Sequence, residues 1–328
     1  MKKGTIIALV IALALGAFVY FYEIKGERTR DEGETSKPAF KFKSEDIASM
    51  SIASKGQTVA LESDGKNWNI TQPVKTEADS MTVEGITSAL AATTIDRSLA
   101  MNESLQRGSG LDQPAATINL KLKNGEQHTV TLGKKDPTEA NIYGKIDQNP
   151  GILLLPATLE TSAIKGLNDL RNKQILKTSQ EEIAKVSVKN SNGSFIVEQN
   201  PESKWIIQEP VSQKGKDAKT DKLLSILSTS ATEIIDQPDA RITALIAKPA
   251  SEITLITKDN KTTKIFISPA DKEDVYIKIE GKAELYKVSK SVLESYSFKI
   301  AELIPEPPPT SANKAPEKAE QIMPSTAK

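Results

Sequence analysis

Asp64–Val74 reads DGKNWNITQPV, and Pro201–Val211 reads PESKWIIQEPV. Trp68 matches Trp205 and Pro73 matches Pro210, both at an offset of 137 residues. In each stretch a short Trp-led strand runs into a proline, which ends it because proline brings no N–H to a ladder. The match extends outward in order. Upstream, EDIASMSI (Glu45–Ile52) matches EEIAKVSV (Glu181–Val188) at an offset of 136. Downstream, PAATINLKLKNG (Pro114–Gly125) matches PASEITLITKDN (Pro249–Asn260) at 135, and TLETS (Thr158–Ser162) matches VLESY (Val292–Tyr296) at 134. An offset that drifts by so little over a whole domain is the mark of a duplicated unit with small loop indels.

Both copies carry the same local signals. Ile47, Met50 and Ile52, then Val59 and Leu61, then Trp68 and Ile70 read as strands, with Asp64-Gly65 turning between the last two. In the second copy, Val186 and Val188 and then Phe195 and Val197 flank a turn placed at Asn192-Gly193, and Trp205 and Ile207 follow. A helix comes next. Val83, Ile86 and Leu90 stand at helical spacing behind a cap at Asp79 or Ser80, and Leu223, Leu224 and Leu227 stand behind Thr220. A hairpin pairs Ile118–Leu122 with Val130–Leu132 across Asn124-Gly125, and its counterpart turns near Asp259-Asn260. Ile142–Ile146 with Ile152–Leu155, and Val275–Ile279 with Leu285–Val288, add a further strand pair to each copy. Helices around Ala157–Leu167 and Ser289–Phe298 close the copies. The order predicts an α+β fold of two tandem homologous domains, antiparallel sheet with inserted helices, without parallel crossovers.

The ends differ from the middle. Thr5–Tyr22, TIIALVIALALGAFVYFY, is uncharged and follows Lys2 and Lys3. Its 18 residues span about 27 Å as a helix, close to the hydrocarbon thickness of a bilayer. It reads as an uncleaved signal-anchor with the lysines inside and Tyr20, Phe21 and Tyr22 in the aromatic belt. Cleavage after the small residues Ala14 and Gly16 is the rival reading. Six prolines between Pro305 and Lys328 predict a disordered tail. The expected organisation is therefore a cytoplasmic stub (1–4), a transmembrane helix (5–22), a charged tether (23–39), two repeat domains (40–176 and 177–304) and the Pro-rich tail (305–328).

Composition narrows the function. The 328 residues include 43 basic and 43 acidic side chains, one histidine and no cysteine. Without cysteine there is no disulfide, thiolate metal site, iron–sulfur cluster, thiol nucleophile or lipoprotein anchor. Neutrality argues against nucleic acid. It is also local: residues 40–176 carry 15 basic and 16 acidic groups, and residues 177–304 carry 19 of each. Neither domain has the charge to steer a partner electrostatically.

No motif for chemistry stands out. The lone His128 follows the Asn124-Gly125 turn, has Thr263 as its counterpart, and reads as a surface strand residue. Ser162 and Lys165 match Ser-x-x-Lys, but the spacing recurs at Ser63/Lys66, Ser311/Lys314 and Ser325/Lys328 without the companion motifs. Asp271–Asp274 reads as a solvated turn with its own lysine, and phosphate-cradling glycine loops are absent. Aromatics make up 5% of the chain, which disfavours stacking platforms while leaving room for a single site. Trp68 and Trp205 read as core anchors. No catalytic residue, cofactor or metal is expected.

Trp68, Ile70, Pro73, Asp79 and Val83 together form a pattern of Trp-x-Ile, proline, acidic residue and helix. It resembles a bacterial family, the domain of unknown function 4340. Leu170–Val188, LRNKQILKTSQEEIAKVSV, is similar to that family's inter-repeat signature, which opens on a Leu-Arg pair, here Leu170 and Arg171. The resemblance covers about residues 40–304; the second copy departs from it by inserting Lys214–Lys216 before its helix. It implies a membrane-anchored extracytoplasmic protein encoded near ABC-type transporter subunits of the gliding or export kind, and assigns no catalytic residue. The leading expectation is a non-enzymatic single-pass protein of the bacterial cytoplasmic membrane. Its bulk is extracytoplasmic, periplasmic or on the cell surface, and binds or scaffolds an envelope partner. The alternatives are a glycan- or small-solute-binding module and a carboxylate-dependent hydrolase.

Overall fold

A computed structural model describes residues 36–306. The apolar run, residues 23–35 of the tether and residues 307–328 of the tail lie outside the described residues. Among the described residues no helix is long and apolar enough to cross a membrane. The chain divides into two compact units at the Asn172–Lys173 junction.

The first unit runs β1 (Lys37–Pro38), β2 (Ile47–Ser54), β3 (Gln57–Ser63), β4 (Trp68–Gln72), β5 (Thr76–Glu77), α1 (Ser80–Ala91), β6 (Thr94–Ile95), β7 (Arg97–Leu99), α2 (Glu103–Ser109), β8 (Ala116–Leu122), β9 (Gln127–Lys135), β10 (Asn141–Ile146), β11 (Ile152–Pro156), α3 (Thr158–Ala163) and α4 (Leu167–Leu170). Its main sheet is antiparallel in the order β5-β4-β3-β2-β8-β9-β10-β11-β7. Ile47, Met50 and Ile52 share the core face because the register shifts between Ile47 and Ser49. One bulged residue turns a spacing of three into one face of a strand. Over that face lie Val83, Ile86 and Leu90 of α1, Leu159 and Ala163 of α3, and Leu170 of α4. The three α1 side chains are within 1% of full burial, worth roughly 5–8 kcal/mol together as an upper bound.

The second unit comprises β12 (Ile183–Asn190), β13 (Gly193–Gln199), β14 (Trp205–Glu209), α5 (Asp221–Leu224), β15 (Glu233–Ile235), α6 (Ala240–Ile246), β16 (Ser251–Thr257), β17 (Thr262–Ile267), β18 (Asp274–Ile279), β19 (Leu285–Ser289), α7 (Ser291–Ser295) and α8 (Ile300–Leu303). Its sheet order, β14-β13-β12-β16-β17-β18-β19-β15, is that of the first sheet without β5. The register shift recurs between Ile183 and Lys185, which brings Ile183, Val186 and Val188 to one face.

Several expectations are corrected. The tether does not run free to residue 39: Lys37 and Pro38 pair with Ile95 and Thr94, and Ala39 N–H donates to Thr93 O at 2.8 Å. The β12–β13 turn is Ser191-Asn192, one residue earlier than expected, because Asn190 pairs with Gly193. Gly193 takes the positive φ, at 137°. The closing helices are each broken in two, α3 from α4 at Gly166 and α7 from α8 after Tyr296. The helix behind Thr220 shrinks to α5 and a 3-10 turn, Ser225–Ser228, and the Thr220 side chain makes no capping bond. The backbone shows why. In the first unit Ala78 N–H donates to Trp68 O and Asp79 N–H to Leu170 O; in the second, Ala218 N–H donates to Trp205 O and Lys219 N–H to Leu303 O. Lys219 is the backbone counterpart of Asp79, but α5 starts one residue later behind Thr220, whose φ of −109° and ψ of −9° depart from the extended conformation in which a side chain caps a first turn. Ser225 and Thr229 hydroxyls then bond back to Lys222 and Ser225 carbonyls, a competitor to helix.

Candidate functional site

The residues singled out in the sequence build a structural knot. Trp68 is 7% exposed in the first core, while Trp205 is half-buried against the second. Pro73 and Pro210 follow the last residues of β4 and β14, each after a cis peptide bond. Asp79 Oδ1 accepts Thr82 N–H at 2.7 Å, capping α1. Ala78 bridges to Arg171, and Asn172 N–H reaches Glu77 O. Leu170 is fully buried and Arg171 is 5% exposed. Trp68, Asp79, Leu170 and Arg171 thus meet where the end of the first unit is stitched to the start of α1. Nearby, Asp169 Oδ2 accepts Gly166 N–H at 2.8 Å and the Lys55 ammonium at 3.0 Å. That backbone donor first, and Lys55 after it, hold the Asp169 carboxyl below the usual carboxylate range. The knot ties the end of the first unit to the start of α1.

The candidate site lies elsewhere, around the histidine that reads as a surface strand residue. His128 shares the face of β9 with Val130 and Leu132, opposite Leu120 of β8, so its ring points toward the end of the core. The segment ahead of β2 folds over it. The rings of Phe40 and Phe42 lie 5.4 and 5.3 Å from the imidazole and 4.8 Å from each other, centroid to centroid. The chain bends at residues 39, 41 and 42, and both rings reach the imidazole. Phe40 is buried and Phe42 half-buried.

Behind the imidazole stands Asp147. His128 Nδ1 and Asp147 Oδ2 are 2.9 Å apart, and Asp147 Oδ1 accepts Thr129 N–H at 2.8 Å. The pair orients the ring through Nδ1 and leaves Nε2 as its second polar atom. Together these groups line a recess of about 580 Å³. Ala39, Phe40, Phe42 and Leu122 supply its apolar wall, and Lys41, Asp46, Lys123, Asn124 and Glu126 its polar rim. The volume falls within the range of small-ligand sites. Trp68 lines a second, smaller recess of about 300 Å³ with Lys66 and Glu84. Among the described residues no cluster of three or more His, Asp and Glu side chains is placed to hold a metal ion. Among the same residues no hydroxyl is bonded to His128 to make a nucleophile–base pair, and Asp147 has its two oxygens on Thr129 and His128.

The parts of this site are far apart in the sequence. Phe40 and Phe42 precede His128 by more than 80 residues, and Asp147 follows it across a hairpin. The one local signal is Phe-x-Phe just ahead of the first strand.

The family model of a domain of unknown function (DUF4340) matches residues 68–245. No curated protein and no solved structure matches the chain.

Proposed function

The chain belongs to the DUF4340 family, and on that premise we propose a non-enzymatic, single-pass, membrane-anchored protein whose folded units work outside the cytoplasm and bind an envelope partner. The observation that carries the proposal is the uncharged run Thr5–Tyr22 behind Lys2 and Lys3. An ABC-type transport complex of the gliding or export kind is the partner favoured by the family resemblance. The two units are inferred to be copies of one ancestral domain. The ordered sequence matches, the shared strand order and the paired bonds Ala78–Trp68 and Ala218–Trp205 support that reading. With each unit close to neutral, recognition relies on shape and hydrogen bonding rather than long-range attraction. The recess beside His128 favours a second reading, a module that takes a glycan or small solute.

Two measurements test the proposal. A phosphatase that works only outside the cytoplasm, fused after Glu306, is expected to be active. Pull-down of the tagged full chain from membranes in mild detergent is expected to recover ABC-type transporter subunits. A cytoplasmic location of the fusion, or recovery of no envelope protein under those conditions, overturns it.

A further inference from the structure

We propose that the recess walled by Phe42 and His128 is a saccharide-binding site. The inference specifies the second reading above and is independent of the anchor and of any protein partner. A sugar ring asks for two things at once. Its C–H face packs on an aromatic face, whose π cloud attracts the polarised hydrogens. Its hydroxyls, donors and acceptors together, ask for side chains of both kinds at the edge. The recess offers both. Phe40 backs Phe42 and His128, so the half-buried rings present a continuous wall. Around it Lys41 and Lys123 donate, Glu126 accepts and Asn124 does either. Two lysines alone would suit an anion; with Glu126 and Asp46 on the same rim the lining suits a neutral, polyhydroxylated molecule.

The wall is also set in advance. Asp147 holds the imidazole, Thr129 N–H holds Asp147, and the Phe40–Phe42 segment is tied by the β1–β6 pairing and by Ala39 to Thr93. Little ordering remains to oppose binding.

The second unit shows that the framework does not require these residues. Thr263 pairs with Leu255 there as His128 pairs with Leu120. Glu280 N–H bonds Lys264 O as Asp147 N–H bonds Thr129 O. Leu176 and Thr178 precede Glu181 as Phe40 and Phe42 precede Glu45. With Leu, Thr, Thr and Glu at the four positions the second sheet still closes its core. Phe40 sits in the first core as Leu176 sits in the second, and Phe42 packs against that core; what the second unit does without is the pair of half-buried rings, Phe42 and His128, and binding accounts for those.

The test uses the full chain in a detergent without a sugar head group. Saturation-transfer NMR is run against the methyl glycosides of glucose, galactose, mannose and N-acetylglucosamine, with benzoate and inorganic phosphate as anion controls. At least one glycoside is expected to show transfer concentrated on ring C–H protons. Phe42→Ala and His128→Gln are each expected to weaken it about tenfold or more. Because Phe42→Ala also trims a half-buried side chain, the exposed rim variant Glu126→Ala provides a second, non-structural loss of affinity. No transfer from any glycoside, transfer unchanged in all three variants, or binding of benzoate or phosphate alone overturns the proposal. None of these outcomes touches the membrane location or the partner.

Discussion

Tyr296→Phe removes a single oxygen from a side chain that has no solvent exposure. That oxygen donates to Leu223 O at 3.0 Å and accepts from Ile226 N–H at 3.0 Å, with the Ser225 hydroxyl oxygen 3.3 Å away. It therefore holds both ends of the irregular passage from α5 into the 3-10 turn, where no helical cap does so. Removing it leaves a buried carbonyl and a buried N–H without this partner, each worth about 1–3 kcal/mol. Local relaxation recovers part, so the expected loss is about 2–4 kcal/mol, a large share of the ~5–15 kcal/mol that holds an ordinary domain together. The same burial pushes the phenol up to about 12. The folded state thus keeps the proton after the unfolded chain begins to lose it near pH 10. Stability from this group is complete below pH 10 and falls as pH rises toward 12. The phenylalanine variant has no such term, so the gap between the two proteins should be widest near pH 8 and narrow by about 2–3 kcal/mol near pH 12. Urea unfolding followed by Trp205 fluorescence, with Trp68→Phe in both proteins, isolates the second unit. A loss below about 0.5 kcal/mol at pH 8, or a gap that does not change with pH, would refute the reasoning.

Asp79→Ala should cost the first unit about 1 kcal/mol by orphaning Thr82 N–H, read as a lower urea midpoint. Gly133→Ala should cost about 1–3 kcal/mol, because the new Cβ would meet Ser109 O at 2.2 Å and backbone cannot swing aside as a side chain can. Thermal unfolding as stable as the parent's would count against the close approach of α2 to β9. For Asp169 the folded carboxyl titrates below the unfolded one, so its stabilisation is present above about pH 4 and is lost as pH falls further. Asp169→Asn should then be less stable at pH 7 and show a shallower acid transition; an unchanged acid limb would argue against it.

The strand pairs are legible residue by residue. Ile118–Leu122 and its partner alternate with period two around Asn124-Gly125, and both the period and the turn are properties of neighbours in sequence. The same locality makes Pro73, Pro210 and the Asp79 cap readable. What escapes are pieces too short to show a period. β5, β6 and β7 have two or three residues each, and α2 and α6 have seven. The helix behind Thr220 is overread because its leucines keep helical spacing while the Thr220 side chain makes no capping bond. Spacing reports which face is apolar and does not report whether the first turn's N–H groups find acceptors.

The sequence alone determines the antiparallel α+β character, the repeat of signals in order, and the absence of thiol chemistry. Each of these depends on residue type and on intervals of a few positions. Only the tertiary structure decides that Phe40 and Phe42 close over His128 and that Asp147 stands behind it. Alternation says which face of β9 His128 occupies, but not which distant segment covers the end of that face. That depends on strand order and register, on β1 pairing with β6, and on the hairpin that returns Asp147 beside Thr129. These are long-range choices, settled when the whole sheet closes its core, and they turn a lone histidine that reads as exposed into the wall of a formed recess.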